Sequence, residues 1–288
     1  MERRAAQDPA GLLGRSVHVG FVIGLPRSGT TLLCYLLAGA EGSLSLSEPY
    51  LAHFLFSPWR LRRLFCKVQR QGGLKRMIVP PDADRAGLLA YMRSLASENG
   101  LKHLIVKETY RSSREWRNDE LMDWLAELNL PMVATVRHPY DVAVSSVRFC
   151  RWWRGVTGWM MRTVAPRMPL FAGDREVVEH VADNWASFSR WCRARKRVVL
   201  RYEDLVHHPD EALRTACDAL GLRYEPRMLD PRHPRGAFGG IGDPMVMKQA
   251  GRPVRPSSVG RKNELAPALQ DIIQAQCGDE AAHWEYAL

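Results

Sequence analysis

A β-prone run from Val17 to Gly24 breaks at the turn Leu25-Pro26-Arg27-Ser28-Gly29-Thr30-Thr31. It is followed at once by the apolar, helix-forming stretch Leu32 to Leu37. Strand, glycine turn and helix, in that order, form the layout of a phosphate cradle. Backbone N–H groups of the turn and the positive end of the helix dipole both face an anion there. Gly24 and Gly29 stand at the two glycine positions of a P-loop and Thr31 at its hydroxyl position, but Thr30 replaces the lysine. The missing lysine, with Arg27 and a threonine pair gained, argues against a magnesium triphosphate. It favours another phosphorylated ligand.

Composition bounds the rest. The 288 residues are 46% hydrophobic and 25% charged, which is ordinary for one globular domain near the upper size limit of a single core. A formal net charge of +10 favours anionic ligands. Arginine supplies most of the 41 basic residues; that excess is either compositional or suited to bidentate recognition of phosphate or sulfate. Six cysteines occur without a CxxC pair, so neither a zinc site nor a disulfide framework is signalled, and a reducing compartment is expected. Residues 1–16 are charged and lack the apolar core of a signal peptide. They are read as a flexible N-terminus, with residues 17–288 as one domain. The apolar region near 17–40 is interrupted by its turn and cannot span a membrane. The expectation is a cytoplasmic protein without stable membrane insertion and of unreadable oligomeric state.

Further strand-like runs recur at His103–Lys107, Met132–Val136 and Arg197–Arg201, with helical periodicity between, as in Arg114–Leu128 and Val177–Arg195. Alternating β and α, with continuous apolar strands, predicts an α/β fold: a three-layer sandwich around a central, mostly parallel sheet. Ligands of such sheets bind at the carboxyl ends of strands. Each predicted strand ends in a polar cluster: Pro26-Arg27-Ser28, Lys107-Glu108, Arg137-His138 and Arg201-Tyr202-Glu203. Two stretches break the pattern. Arg151 to Gly173 mixes Trp152, Trp153 and Trp159 with arginines and three glycines, and 226–260 carries six prolines and six glycines. Both are read as parts of an active-site rim, with mobile surface as the alternative.

Three later segments carry chemistry. Thr135-Val136-Arg137-His138-Pro139-Tyr140-Asp141 begins at a strand end and runs into a helix that holds Ser145, eight residues after Arg137. Arginine supplies a bidentate, charge-assisted contact and the helix brings the serine hydroxyl near it. The competing reading pairs Arg137 with Asp141 at i, i+4. Arg201-Tyr202-Glu203-Asp204-Leu205 precedes Pro209 and a helix ending Leu220-Gly221. Gly242-Asp243-Pro244 precedes Ser257-Ser258-Val259-Gly260-Arg261-Lys262.

Together these segments resemble the sulfotransferases that use 3′-phosphoadenylyl sulfate (PAPS), over roughly residues 17 to 270. The likeness is closer to the bacterial, carbohydrate and tyrosylprotein types than to the cytosolic phenol and steroid type. The resemblance implies a P-loop NTPase-like fold and PAPS as co-substrate, with no metal. It implies that Arg27, Ser28, Gly29, Thr30 and Thr31 hold the 5′-phosphosulfate, while Arg137 and Ser145 hold the 3′-phosphate. Tyr202 then lies by the nucleotide, and its alternative is a packing role. Lys107 matches the lysine that stabilises the bridging oxygen; its alternative is a scaffold lysine pointing to solvent. Arg261 and Lys262 either clamp the 3′-phosphate from a closing loop or begin a solvated helix, and Lys262 stands where tryptophan is common.

Sulfuryl transfer to an acceptor hydroxyl needs a base. No histidine follows Lys107 in Lys107-Glu108-Thr109-Tyr110. The carbohydrate and tyrosylprotein types use a glutamate after the first helix, and Glu48 in Ser47-Glu48-Pro49 matches, 21 residues past Arg27. Pro49 disfavours helix at Glu48 and leaves its carboxylate on a loop. Glu108 and His53 are the reserves, and helix capping is Glu48's alternative role. The expected catalytic set is Glu48, Lys107 and Arg27. The expected partner is a hydroxylated small-molecule, glycan or lipid-like acceptor, not nucleic acid. Two other classes remain: a P-loop nucleotide or small-molecule kinase, for which the loop lysine and an acidic metal ligand are missing, and a basic polyanion binder.

Overall fold

The computed structural model describes residues 17–47, 85–110, 118–127, 129–164, 173–233, 238–240 and 252–288. Among the described residues six strands form one sheet: β1 (His18–Gly24), β2 (Ser43–Ser47), β3 (His103–Thr109), β4 (Met132–Val136), β5 (Val198–Arg201) and β6 (Phe238–Gly240). They lie in the order β5-β4-β1-β3-β2-β6. Every pairing is parallel; Val22 of β1 lies between Lys107 of β3 and Val133 of β4. The described helices are α1 (Thr30–Leu37), α2 (Arg85–Glu98), α3 (Asn118–Glu127), α4 (Pro139–Val164), α5 (Asp174–Ala194), α6 (Tyr202–His207), α7 (Pro209–Leu220) and α8 (Pro267–His283).

Both faces of the sheet are covered, which is why its strands read as continuous apolar runs. Val22, Ile105, Val133 and Leu200 point to one face and pack with Leu33 and Leu37 of α1 and Leu213 and Leu220 of α7. The intervening residues Phe21, Ile23, Leu104, Val106, Met132 and Ala134 point to the other. There they meet α3, α4, α5 and α8 through such residues as Leu125, Val142, Trp185 and Ile273. The expected three-layer α/β sandwich is therefore present. The chain leaves β1 through α1 on one face and leaves β3 through α3 on the other. Such a reversal opens a crevice at the carboxyl end of the central strand.

The predicted strands lie within about two residues of the observed ones, and Met132–Val136 coincides with β4. Two strands were not anticipated: β2, Ser-Leu-Ser-Leu-Ser, and the three-residue β6. The expected break in the pattern from Arg151 is corrected, because α4 continues through Val164. Gly155 sits in that helix with open space where a side chain would lie. A solvent-facing glycine costs a helix about 1 kcal/mol without breaking it. Of 226–260, the described parts include a 3₁₀ turn at Pro226–Leu229 and β6.

Candidate active site

The turn after β1 has the conformation its glycines announce. Gly29 caps α1 with φ 92°, and a Cβ there would run into the Tyr202 ring. A Cβ on Gly24 would lie 2.5 Å from Thr135 Oγ1 and 2.7 Å from Ser28 Oγ. Both positions thus exclude any larger residue. Arg27 also takes a positive φ, 74°, an uncommon choice for a residue with a side chain, and such outliers gather at ligand sites. Ser28 closes the turn, donating to the Leu25 carbonyl at 2.8 Å and lying 2.9 Å from Thr135 Oγ1. Ser28 is therefore spent on the loop's own shape.

Four strand ends meet at this turn. From β3, Lys107 shares the α1 face of the sheet with its register neighbour Val22. It is only 2% exposed, and its ammonium donates to Thr31 Oγ1 in the first turn of α1 at 2.9 Å. The solvent-pointing alternative for Lys107 is thereby corrected. Cys34, one turn further along α1, has its thiol pushed up to about 12 by burial, with Lys107 pulling weakly the other way. Glu108 pairs in register with Ile23 and so faces the opposite side from Lys107.

From the end of β4, Arg137 reaches back over the turn. It is 4% exposed, donates from Nη1 to the Arg27 carbonyl at 3.0 Å, and donates from Nη2 to the Ser258 carbonyl. Its guanidinium lies over the Tyr202 ring at 4.3 Å, and Tyr202 OH meets Ser258 Oγ at 3.0 Å. The Arg27 side chain donates from Nε to Ser145 Oγ on α4 at 2.9 Å and lies 5.3 Å from the Phe149 ring centre. Arg27, Arg137, Ser145 and Tyr202, far apart in sequence, thus form one cluster.

Asp141 holds the segment that covers this cluster. Its carboxylate accepts the Gly260 and Arg261 backbone N–H groups at 3.0 and 2.7 Å. The Arg137–Asp141 pairing weighed from the sequence is not what the carboxylate makes. Arg261 is brought to the cluster; Lys262 instead places its ammonium over the buried Tyr140 ring at 4.7 Å. Glu48 and His53 lie outside the described residues, as do the side chains of Trp153 and Trp159. Trp152 is on α4 and 49% exposed. Asp141 and Ser258 were missed as site-building residues, and Glu203 was singled out only as a member of the polar cluster at the end of β5. The acidic position at the start of α4 was the one signal for Asp141.

The electrostatics leave the cluster short of negative charge. Burial pulls the Arg137 guanidinium below its ordinary range. Arg27 adds to the effect, while Tyr202, Asp141 and Glu203 oppose it. Arg261 is lowered likewise, by burial first and then by Arg137. The Nε groups of Arg137 and Arg261 are buried without a hydrogen-bond partner. Buried donors of this kind are costly unless a ligand satisfies them, and a polyanion would supply both charge and acceptors. Among the described residues, no group of three His, Cys, Asp or Glu side chains is placed to hold a metal ion.

Buried Lys107 and Arg137 at the carboxyl ends of parallel strands, beside a strand, glycine turn and helix, define an α/β fold of the P-loop type. The chain matches the sulfotransferase family over residues 21–226 and belongs to it. It is similar in structure to the sulfotransferase domain of the Synechococcus PCC 7002 olefin synthase. That pair has TM-score 0.60 and 21% identity, covering 96% of this chain and 98% of the other. The sulfotransferase domain from the curacin biosynthetic pathway gives TM-score 0.60 and 22% identity, covering 96% and 100%. Mouse sulfotransferase SULT7A1 complexed with PAP gives TM-score 0.52 and 13% identity, covering 94% and 89%. No curated protein sequence matches the chain.

Proposed function

We propose that the protein transfers the sulfuryl group of PAPS to a hydroxyl of a small-molecule, carbohydrate or lipid-like acceptor. The carrying observation is the cluster around the β1 turn. Arg27, Arg137 and Arg261 converge there with Ser145 and Tyr202, and two guanidinium Nε groups lack partners. A structurally similar protein, SULT7A1, was solved with PAP, which supports a donor of the same chemistry here.

In this reading the 3′-phosphate takes Arg137 and Ser145, with Arg261 closing from the segment tied to Asp141. The 5′-phosphosulfate occupies the turn at Arg27, Gly29, Thr30 and Thr31, where the α1 N-terminus adds its amides. The acceptor oxygen attacks sulfur in line and gives its proton to the Glu48 carboxylate. The bond from sulfur to the bridging phosphate oxygen breaks, and the charge that develops on that oxygen is met by Lys107. Positioning and preorganised charge then do most of the work, as in phosphoryl transfer. Ser47, which precedes Glu48 in the sequence, is the register partner of Lys107.

Calorimetry with PAPS and with adenosine 3′,5′-bisphosphate tests the donor site, and a mass-shift screen of hydroxylated acceptors with PAPS tests the reaction. Binding of both nucleotides and a sulfuryl mass addition are expected. No heat with either nucleotide would overturn the reading.

A further inference from the structure

The peptide group that carries Arg137 is gripped on both sides. Its carbonyl oxygen accepts the Trp185 indole N–H at 2.8 Å. The N–H of the same peptide, on His138, donates to Glu203 Oε1 at 3.0 Å. Trp185 and Glu203 are both buried. The second oxygen of Glu203 accepts the Tyr286 hydroxyl at 2.7 Å.

Tyr286 lies beyond α8, in the segment that returns to the end of β4. It is buried, its ring centre lies 5.1 Å from that of His138, and the Arg201 guanidinium lies 4.8 Å from its ring centre. His138 Nε2 meets the next carbonyl, Ala287 O, at 3.1 Å. Burial and the Glu203 carboxylate push the Tyr286 phenol far above its ordinary range, so it remains a donor at every working pH.

A buried carboxylate keeps its place only while its oxygens are satisfied. With the Tyr286 hydroxyl gone, Glu203 turns toward another donor and loosens its hold on the His138 N–H. The Arg137 guanidinium stands several bonds away from that peptide, so a small rotation of the peptide plane becomes a displacement at the head group. Fork-like guanidinium contacts are sensitive to such displacement.

We propose that Tyr286, acting through Glu203, is a positioning residue for Arg137, and that the segment after α8 thereby tunes recognition of the nucleotide 3′-phosphate. The inference rests on the assignment of Arg137 under Proposed function. Its test uses Tyr286→Phe and Glu203→Gln in the full chain, with Tyr224→Phe as a control. That control removes a tyrosine hydroxyl bonded to Asp210, a residue with no hydrogen bond to the Arg137 cluster among those described.

Three quantities are read: melting temperature, hydrogen exchange of the nucleotide-free segment containing His138, and affinity for adenosine 3′,5′-bisphosphate against adenosine 5′-monophosphate. Tyr286→Phe is expected to speed His138 exchange and to weaken bisphosphate binding about tenfold, the scale of one hydrogen bond to a charged group. Monophosphate binding should stay within about twofold, since that ligand does not use Arg137. Glu203→Gln, which keeps an acceptor for His138, should act in the same direction and more weakly. Tyr224→Phe should change neither affinity. Equal weakening of both nucleotides, or unchanged exchange and selectivity, overturns the inference alone. A wild-type protein that does not prefer the bisphosphate overturns the assignment of Arg137 and the inference with it.

Discussion

Arg137 and Ser145 show how a residue pair can be legible while its surroundings are not. The family resemblance pairs them, and in the fold both contact Arg27. The partners that orient Arg137, namely Trp185, Glu203 and Ser258, come from 48 to 121 residues away, and no local pattern encodes such contacts. On the assignment proposed above, replacing Arg137 by alanine removes its charge-assisted contacts to the 3′-phosphate. PAPS affinity should fall roughly ten- to a hundredfold, with saturated turnover less affected; titration calorimetry beside initial rates would separate the two. Glu48 is argued differently, from proton transfer. Glu48→Gln should cost on the order of 10²–10⁴ in rate and leave adenosine 3′,5′-bisphosphate affinity within a few fold. Retained turnover would remove Glu48 from the role of base.

Among the elements, β2 is the instructive miss. Ser43-Leu44-Ser45-Leu46-Ser47 alternates with the period of a strand, yet serine reads as solvent-facing, and the run resembles a linker. In the fold all five residues are buried. Leu44 and Leu46 enter the core beside Leu104 and Val106, while the serines face the α1 side. Alternation was therefore present, but its two faces are both interior, which only the covering helix reveals. The Ser45 hydroxyl is buried without a hydrogen-bond partner, and an unsatisfied buried hydroxyl costs about 1–3 kcal/mol. Ser45→Ala should accordingly raise the melting temperature by about 2 °C or more, as scanning calorimetry would show. The turn between β1 and α1 is the opposite case. Its glycines, its hydroxyls and its helix were all readable, because backbone geometry at a phosphate cradle leaves few residue choices. The reading of 151–164 as irregular failed for a plain reason: glycine weakens a helix without ending one.

At the scale of the whole molecule, the sheet carries its chemistry at one end and a pair of histidines at the other. His18 and His103 stack at 5.5 Å, where β1 and β3 start in register. Burial lowers the affinity of His103 for a proton, and the charges of His18 and Lys102 lower it further. The unfolded chain then binds this proton more readily than the folded one, so stability falls as pH drops below the ordinary histidine value of about 6.5. His103→Gln should flatten that acid-side loss of melting temperature between about pH 7 and pH 5, and an unchanged slope would refute the account. Fold class was readable in the sequence because parallel, doubly covered strands leave an unmistakable rhythm of apolar runs. Strand order was not, since nothing local says that β3 inserts between β1 and β2. That order has a kinetic consequence. The central strand is made first, yet His18 must wait for His103, and Phe21 for Met132. Closing loops of such length before any pairing is rewarded makes assembly slow. A growing chain therefore holds its most water-averse ribbon unmatched while its future neighbours are still being synthesised.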